Sequence, residues 1–135
     1  MTCNEKILGS LLGAAIGDTM GAPTEMRTKA QIAEKFGGYV TEILTPPSDT
    51  FARGAEAGFV TDDFSLAYFT AETILKNGGK IDEKTAVESL LCWAGHEEYY
   101  GKYVGPTTKA SIKKLLGEET TATYPFLKYD CAKAT

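Results

Sequence analysis

The sequence predicts an all-α fold, and three observations carry that prediction. Apolar residues recur at three- and four-residue intervals along most of the chain. Glycine or proline closes each of these stretches. No convincing run of alternating apolar and polar residues marks a strand. With 135 residues, 43% of them apolar and 24% charged, the chain has the size and composition of one folded domain.

The first helix is expected from about Asn4 to Met20, with Asn4 as N-cap and Pro23 blocking continuation. It carries Gly9, Gly13, Gly17 and Gly21 on one face, between Ile7, Leu8, Leu11, Leu12 and Ile16. Each glycine inside a helix costs roughly 0.5–1 kcal/mol against alanine. A stripe of four therefore predicts a flat groove against which another helix packs backbone to backbone. On that reading the helix is central and covered on several sides. A short helix follows in TKAQIAEKF, capped by Thr28 and stopped by Gly37 and Gly38. The Pro-, Gly- and Ser-rich stretch TPPSDTFARGAEAGFV reads as a long functional loop.

The next helix begins in TDDFS and ends at Gly78, with Phe64, Ala67, Tyr68, Ala71, Ile74 and Leu75 as its apolar face. Asp82 starts another, with Val87, Leu90, Leu91 and Ala94 inward. The stretch GPTTKASIKKLLG gives a further helix, capped by Thr107 or Thr108. There Ile112, Leu115 and Leu116 pack, and Gly117 ends it.

Several function classes are disfavoured. The net charge is −4, and the 14 Lys and Arg are scattered rather than interleaved with aromatics, so no nucleic-acid surface is expected. Cys3, Cys92 and Cys131 are odd in number and widely spaced, which argues against a disulfide framework or zinc site and for a reducing cytoplasm. The apolar N-terminal run is too short to span a bilayer and is cut by Asp18, so no membrane association is expected. His96 is the single histidine and reads as a surface or capping residue. Tyr99, Tyr100 and Tyr103 read as core or rim packing rather than as a base-stacking platform, and Arg53 as a solvated loop residue rather than a phosphate contact.

The chemical signal is VTDDFS. Thr61, Asp62 and Asp63 place a hydroxyl and two carboxylates in a row where a loop becomes a helix. Adjacent carboxylates repel unless a cation lies between them, and hard oxygen donors suit Mg²⁺, Mn²⁺ or Ca²⁺. The plainer reading makes Thr61 or Asp62 an N-cap and Asp63 a partner of the helix dipole.

The order of motifs adds to this string. Gly9, Gly13, Gly17, Asp18, Gly21 and Glu25 form G-x-x-x-G-x-x-x-G-D-x-x-G-x-x-x-E, followed by Thr61-Asp62-Asp63 and then by Gly105-Pro106-Thr107-Thr108. In this the chain resembles the ADP-ribosylglycohydrolase family from about Glu5 to Leu116. The resemblance implies a multi-helical orthogonal bundle of that type. It further implies a hydrolase with two Mg²⁺ or Mn²⁺ ions that cleaves ADP-ribose from a protein side chain or small acceptor. By carry-over Thr61, Asp62 and Asp63 are metal ligands. Glu25, Asp62 and Asp63 are the catalytic carboxylates, and Asp18 supports them. The substrate implied is an ADP-ribosylated protein or a small ADP-ribose conjugate.

Two departures stand out. Phe64 replaces the last residue of the family's T-D-D-T motif, and its late D-x-D-(T/S) motif is absent. Residues 1–135 are therefore expected to be the N-terminal part of a single domain. Alone they would hold half a metal site and be inactive, the rest coming from a longer chain or from a second polypeptide. The alternatives are a non-catalytic family member and a helical binding or structural module.

Overall fold

A computed structural model of the protein describes residues 1–118. Among them are six helices and no strand: α1 (Cys3–Gly21), α2 (Lys29–Phe36), α3 (Asp62–Lys76), α4 (Glu83–Ala94), α5 (Glu97–Tyr103) and α6 (Pro106–Leu115). The chain divides into two compact units, the first Met1–Ser65 and the second starting at Leu66. Cys131, expected to be a free thiol, lies outside the described residues. Cys3 and Cys92 are free.

In the first unit the start of α1 differs from expectation. The cap is Thr2, not Asn4. Thr2 and Glu5 have the spacing of a capping box, and both bonds form. The Thr2 hydroxyl accepts from the Glu5 N–H at 3.3 Å, and the Thr2 N–H donates to Glu5 Oε2 at 2.6 Å. Two satisfied backbone donors outweigh the single one that Asn4 offers. Pro23 ends the helix as its missing N–H requires, and the chain turns through Met26, a non-glycine residue at φ 61°.

The glycine stripe also corrects the sequence reading. A Cβ built on Gly9, Gly13, Gly17 or Gly21 would meet nothing within 4 Å. Ile7, Leu8, Leu12 and Ile16 are 49–58% exposed, and Thr19 is the buried residue of α1. The groove exists, but no described residue lies in it, so its cost in helix propensity is not offset by packing here.

Thr28 caps α2 through a second box with Gln31, and Gly37 stops the helix at φ 76°. The loop that follows is a chain of tight turns. Thr50 and Arg53 donate their N–H groups to the carbonyls of Pro47 and Thr50, and Ala55 and Phe59 do so to Ala52 and Glu56. Pro46, Thr50 and Ala52 are its buried residues. Asp49 joins this loop to the preceding segments. Its Oδ1 lies 2.7 Å from Arg27 Nη2 and 2.7 Å from Lys35 Nζ.

The second unit has its core at Phe69 of α3, Trp93 of α4 and Ile112 of α6. Leu66, Leu90, Leu91, Tyr99, Tyr100 and Val104 pack against it. The buried face of α3 is Ser65, Phe69 and Thr73, not the face expected: Tyr68 is 47% and Leu75 77% exposed. The reason is that hydroxyl residues can be buried when they bond their own helix. The Thr73 hydroxyl donates to the Phe69 carbonyl at 2.8 Å. The same device centres α4 on Thr85, Ser89 and Trp93, where the Ser89 hydroxyl donates to the Thr85 carbonyl at 2.7 Å.

Helix α5 is an element the sequence reading did not assign, while its tyrosines do pack as expected. His96 stands at the N-cap position of α5, as a surface or capping residue would, with its side chain 41% exposed, and its ring stacks on Phe69 with centroids 4.2 Å apart. Helix α6 starts at Pro106 behind Gly105 rather than at a threonine cap. Its buried residues are Ala110, Ser111 and Ile112, while Leu115 and Leu116 are 43% and 58% exposed.

Trp93 is 1% exposed at the centre of this core. Trp93→Ala is expected to destabilise the protein by about 3–5 kcal/mol. Leu75→Ser, on the exposed face of the same bundle, should cost less than about 0.5 kcal/mol. Urea denaturation followed by far-UV circular dichroism compares the two.

Candidate functional site

The five carboxylate and hydroxyl residues singled out in the sequence all belong to the first unit, and they come together there. Asp18 stands in the last turn of α1, Glu25 in the turn after it, and Thr61, Asp62 and Asp63 at the start of α3. The organising contact is between Asp18 and Thr61, 43 residues apart. The Thr61 N–H donates to Asp18 Oδ2 at 2.7 Å, and the Thr61 hydroxyl donates to Asp18 Oδ1 at 2.6 Å. Both are short, charge-assisted bonds, and they use both oxygens of one carboxylate. Thr61 is buried at 7% exposure. Its carbonyl accepts the Ser65 N–H at 3.1 Å and so opens the first turn of α3.

The Thr61 hydroxyl gives its proton to Asp18, a role beyond that of a helix cap. Asp62 is half-buried and Asp63 exposed, both in the first turn, where the helix dipole favours negative charge.

The electrostatics show that the carboxylates share one environment. Burial pushes the Asp62 carboxyl above its ordinary range, and the charges of Asp63 and Asp18 push the same way. Hydrogen bonds from its own backbone N–H and from the Thr61 side chain oppose them. Glu25 is also raised, by partial burial first and then by the charges of Asp62, Asp63 and Asp18. Asp62 and Glu25 thus both feel the charges of Asp63 and Asp18, and no cation is among the groups acting on either.

The donor set is wholly hard oxygen: the Thr61 hydroxyl and the carboxylates of Asp62, Asp63 and Glu25. That chemistry fits a divalent cation such as Mg²⁺ or Mn²⁺ and not zinc. It fits only as part of a shell. Asp18 is occupied by Thr61, and among the described residues no group of three or more His, Cys, Asp or Glu converges to hold a metal ion. Phe64, in place of the expected threonine, is half-buried in the first turn of α3.

A feature beside the cluster escaped the sequence reading. Glu25 also lines a cavity of about 280 Å³ with Met26, Asp49, Thr50, Phe51 and Arg53. The Asp49 carboxyl is held down to about 2 by Lys35 and Arg27. Nothing in the sequence marks that trio, because its members stand 8, 14 and 22 residues apart and share no periodicity.

Residues 1–132 match a family described as ADP-ribosylglycohydrolase. The chain is 33% identical over 112 residues to an uncharacterised protein, YegU, of Escherichia coli K12, covering 82% of this chain and 34% of that one. It is 28% identical over 127 residues to the ADP-ribosyl-[dinitrogen reductase] glycohydrolase of Rhodospirillum rubrum, covering 94% and 40%. It is 31% identical over 96 residues to the ADP-ribosylarginine hydrolase Tri1 of Pseudomonas putida GB-1, covering 70% and 22%. The chain thus spans two fifths or less of the length of these relatives. No solved structure matches it significantly.

The raised Asp62 carboxyl has a definite sign in stability. A carboxyl whose folded value lies above its unfolded one binds more protons when folded. Its contribution is present below the unfolded value near 3.8 and is lost as pH rises through the folded value. Asp62→Asn removes that loss. In metal-free buffer the variant should melt higher than wild type at pH 7, and the difference should shrink as pH falls towards 4. Melting curves across that range check it.

Proposed function

Because the chain belongs to the ADP-ribosylglycohydrolase family, we propose that it forms the N-terminal part of a hydrolase. This enzyme cleaves the glycosidic bond of ADP-ribosylated protein or of a related ADP-ribose conjugate. The observation that carries this reading is the Asp18–Thr61 clamp, which fixes Asp62 and Asp63 at the head of α3 within electrostatic reach of Glu25. Two relatives are named for removal of ADP-ribose from protein or arginine, which supports the substrate class.

Glycosidic cleavage builds positive, oxocarbenium-like charge at the anomeric carbon. Asp62 and Asp63 would supply negative charge to stabilise it. Glu25 has a carboxyl raised above the ordinary glutamate range, so it keeps a proton to higher pH than a solvated glutamate does. That suits it to give a proton to the leaving group or to take one from water. Asp18 is a positioning residue, because both of its oxygens are engaged with Thr61.

Thr61, Asp62 and Asp63 are the residues that would hold Mg²⁺ or Mn²⁺, which would neutralise the carboxylates and lower the pKa of a bound water. The remaining ligands would come from residues outside this stretch, on a longer chain or on a second polypeptide. Unpaired Cys3 and Cys92 are compatible with a reducing, cytoplasmic location. No described helix is long and apolar enough to cross a membrane.

Millimolar Mg²⁺ or Mn²⁺ is expected to raise the melting temperature, by an amount worth about 2.7 kcal/mol at a hundredfold excess over Kd. Asp62→Asn and Asp63→Asn should abolish the shift. In the protein assembled with its remaining ligands they should cut ADP-ribose release from ADP-ribosyl-arginine by about 100-fold or more. Metal-independent melting together with unchanged release in both variants contradicts the reading.

A further inference from the structure

We propose that Arg27 is a positioning residue for Glu25: paired with Asp49, it locks the turn that presents Glu25 to Asp62 and Asp63. The inference deepens the functional reading above and rests on it for the role of Glu25.

Glu25 and Met26 are the two central residues of a tight turn. The Arg27 N–H closes it on the Thr24 carbonyl at 3.2 Å, and the Thr24 N–H ties it back to the Gly21 carbonyl at 2.9 Å. The second central residue, Met26, has φ 61°, a conformation that glycine ordinarily supplies in such a turn. A methionine there is strained, and strain of this kind persists only where the surroundings hold it. Electrostatics work against the turn as well. The charges acting on Glu25 are those of Asp62, Asp63 and Asp18, so repulsion favours moving Glu25 away from them.

Arg27 is placed to resist both. Its side chain is only 14% exposed, which is uncommon for an arginine. Nε donates to the Pro23 carbonyl at 3.3 Å, which folds the side chain back along the chain. Nη2 is shut off from solvent and lies 2.7 Å from Asp49 Oδ1. Asp49 is a firm anchor. Its neighbour Thr50 is 5% exposed and donates both its N–H and its hydroxyl to the Pro47 carbonyl. Lys35 lies 2.7 and 2.8 Å from the two Asp49 oxygens, and with Arg27 it holds that carboxyl down to about 2. The charge of Arg27 is thus directed at Asp49, while no cation is among the groups acting on Glu25. Arg27 serves Glu25 by placing it, not by neutralising it. The pairing is asymmetric. Without Arg27, Asp49 keeps Lys35; without Asp49, Arg27 is a largely buried cation stripped of its counter-ion.

The test has two arms. Asp49 lies outside the turn, so its substitution reaches Met26 through Arg27. The first arm reads the Met26 φ by NMR, from the three-bond coupling between its N–H and Hα. Wild type and Lys35→Gln are expected to keep the left-handed conformation, and Asp49→Asn to lose it. Arg27→Gln, which strands no buried charge, should lose it too and stands in if Asp49→Asn does not fold, as far-UV circular dichroism reports. The second arm is ADP-ribose release from ADP-ribosyl-arginine by the protein assembled with its remaining ligands. There Arg27→Gln and Asp49→Asn should lower kcat about 10- to 100-fold, as misplacement of a reacting group does, with KM within about twofold of wild type. Arg27→Lys, which keeps the charge without the Nε bond, should fall between. The proposal is overturned if Met26 keeps its φ without Asp49 or Arg27, if Lys35→Gln loses it, or if kcat stays at the wild-type value. No release by wild type counts against the functional reading alone, and the Met26 φ then decides the positioning.

Discussion

The carboxylate of Asp18 holds this site together. It lies near the end of one helix and fastens the residue that starts another, across 43 positions of sequence, through two bonds of 2.7 and 2.6 Å. That fastening ties the head of α3 directly to the end of α1. Asp62 and Asp63 follow Thr61 directly, so their placement is inherited from it. Glu25 is placed by the other side of the same junction, through the turn that Pro23 forces on the chain.

The consequence is electrostatic tension. One carboxylate is satisfied by hydrogen bonds, and three more are held within reach of one another. Burial and mutual repulsion raise Asp62 and Glu25, while the dipole of α3 offsets part of the cost for Asp62 and Asp63. A stability-optimised surface would not keep such a cluster. Hard-cation binding and proton transfer are the kinds of chemistry that such a cluster suits. Nearby charges are treated in the opposite way: Asp49 is flanked by Arg27 and Lys35 and held far below the usual carboxylate range.

The all-α class was legible because period and stop signals agree, as at Thr28 and Gly37 around α2. The clustering of the candidate residues was legible because they sit in two short motifs, G-D-x-x-G-x-x-x-E and T-D-D, each with local chemistry of its own. What sequence could not supply was distance. Asp18 was read as a supporting residue, but its partner 43 residues away was not. Leu90, Leu91 and Ala94 of α4 pack on the core as expected, but the face of α3 was misassigned for a physical reason: hydropathy does not anticipate that residues such as Thr73, or Ser89 in α4, can be buried when a helix carbonyl takes their protons. The capping box at Thr2 lay one turn before the apolar pattern that drew attention to Asn4. The glycine stripe of α1 remains uncovered among the described residues, and Ile7, Leu8, Leu12 and Ile16 share its exposure.

The most direct measurement is amide hydrogen exchange at Thr61, by NMR, in the protein and in Asp18→Ala. The account predicts strong protection of the Thr61 N–H in wild type. In the variant that protection is lost, while amides at the α4 core around Trp93 keep theirs. A Thr61 amide that exchanges freely in wild type, or keeps its protection without Asp18, would contradict the claim that this clamp builds the site.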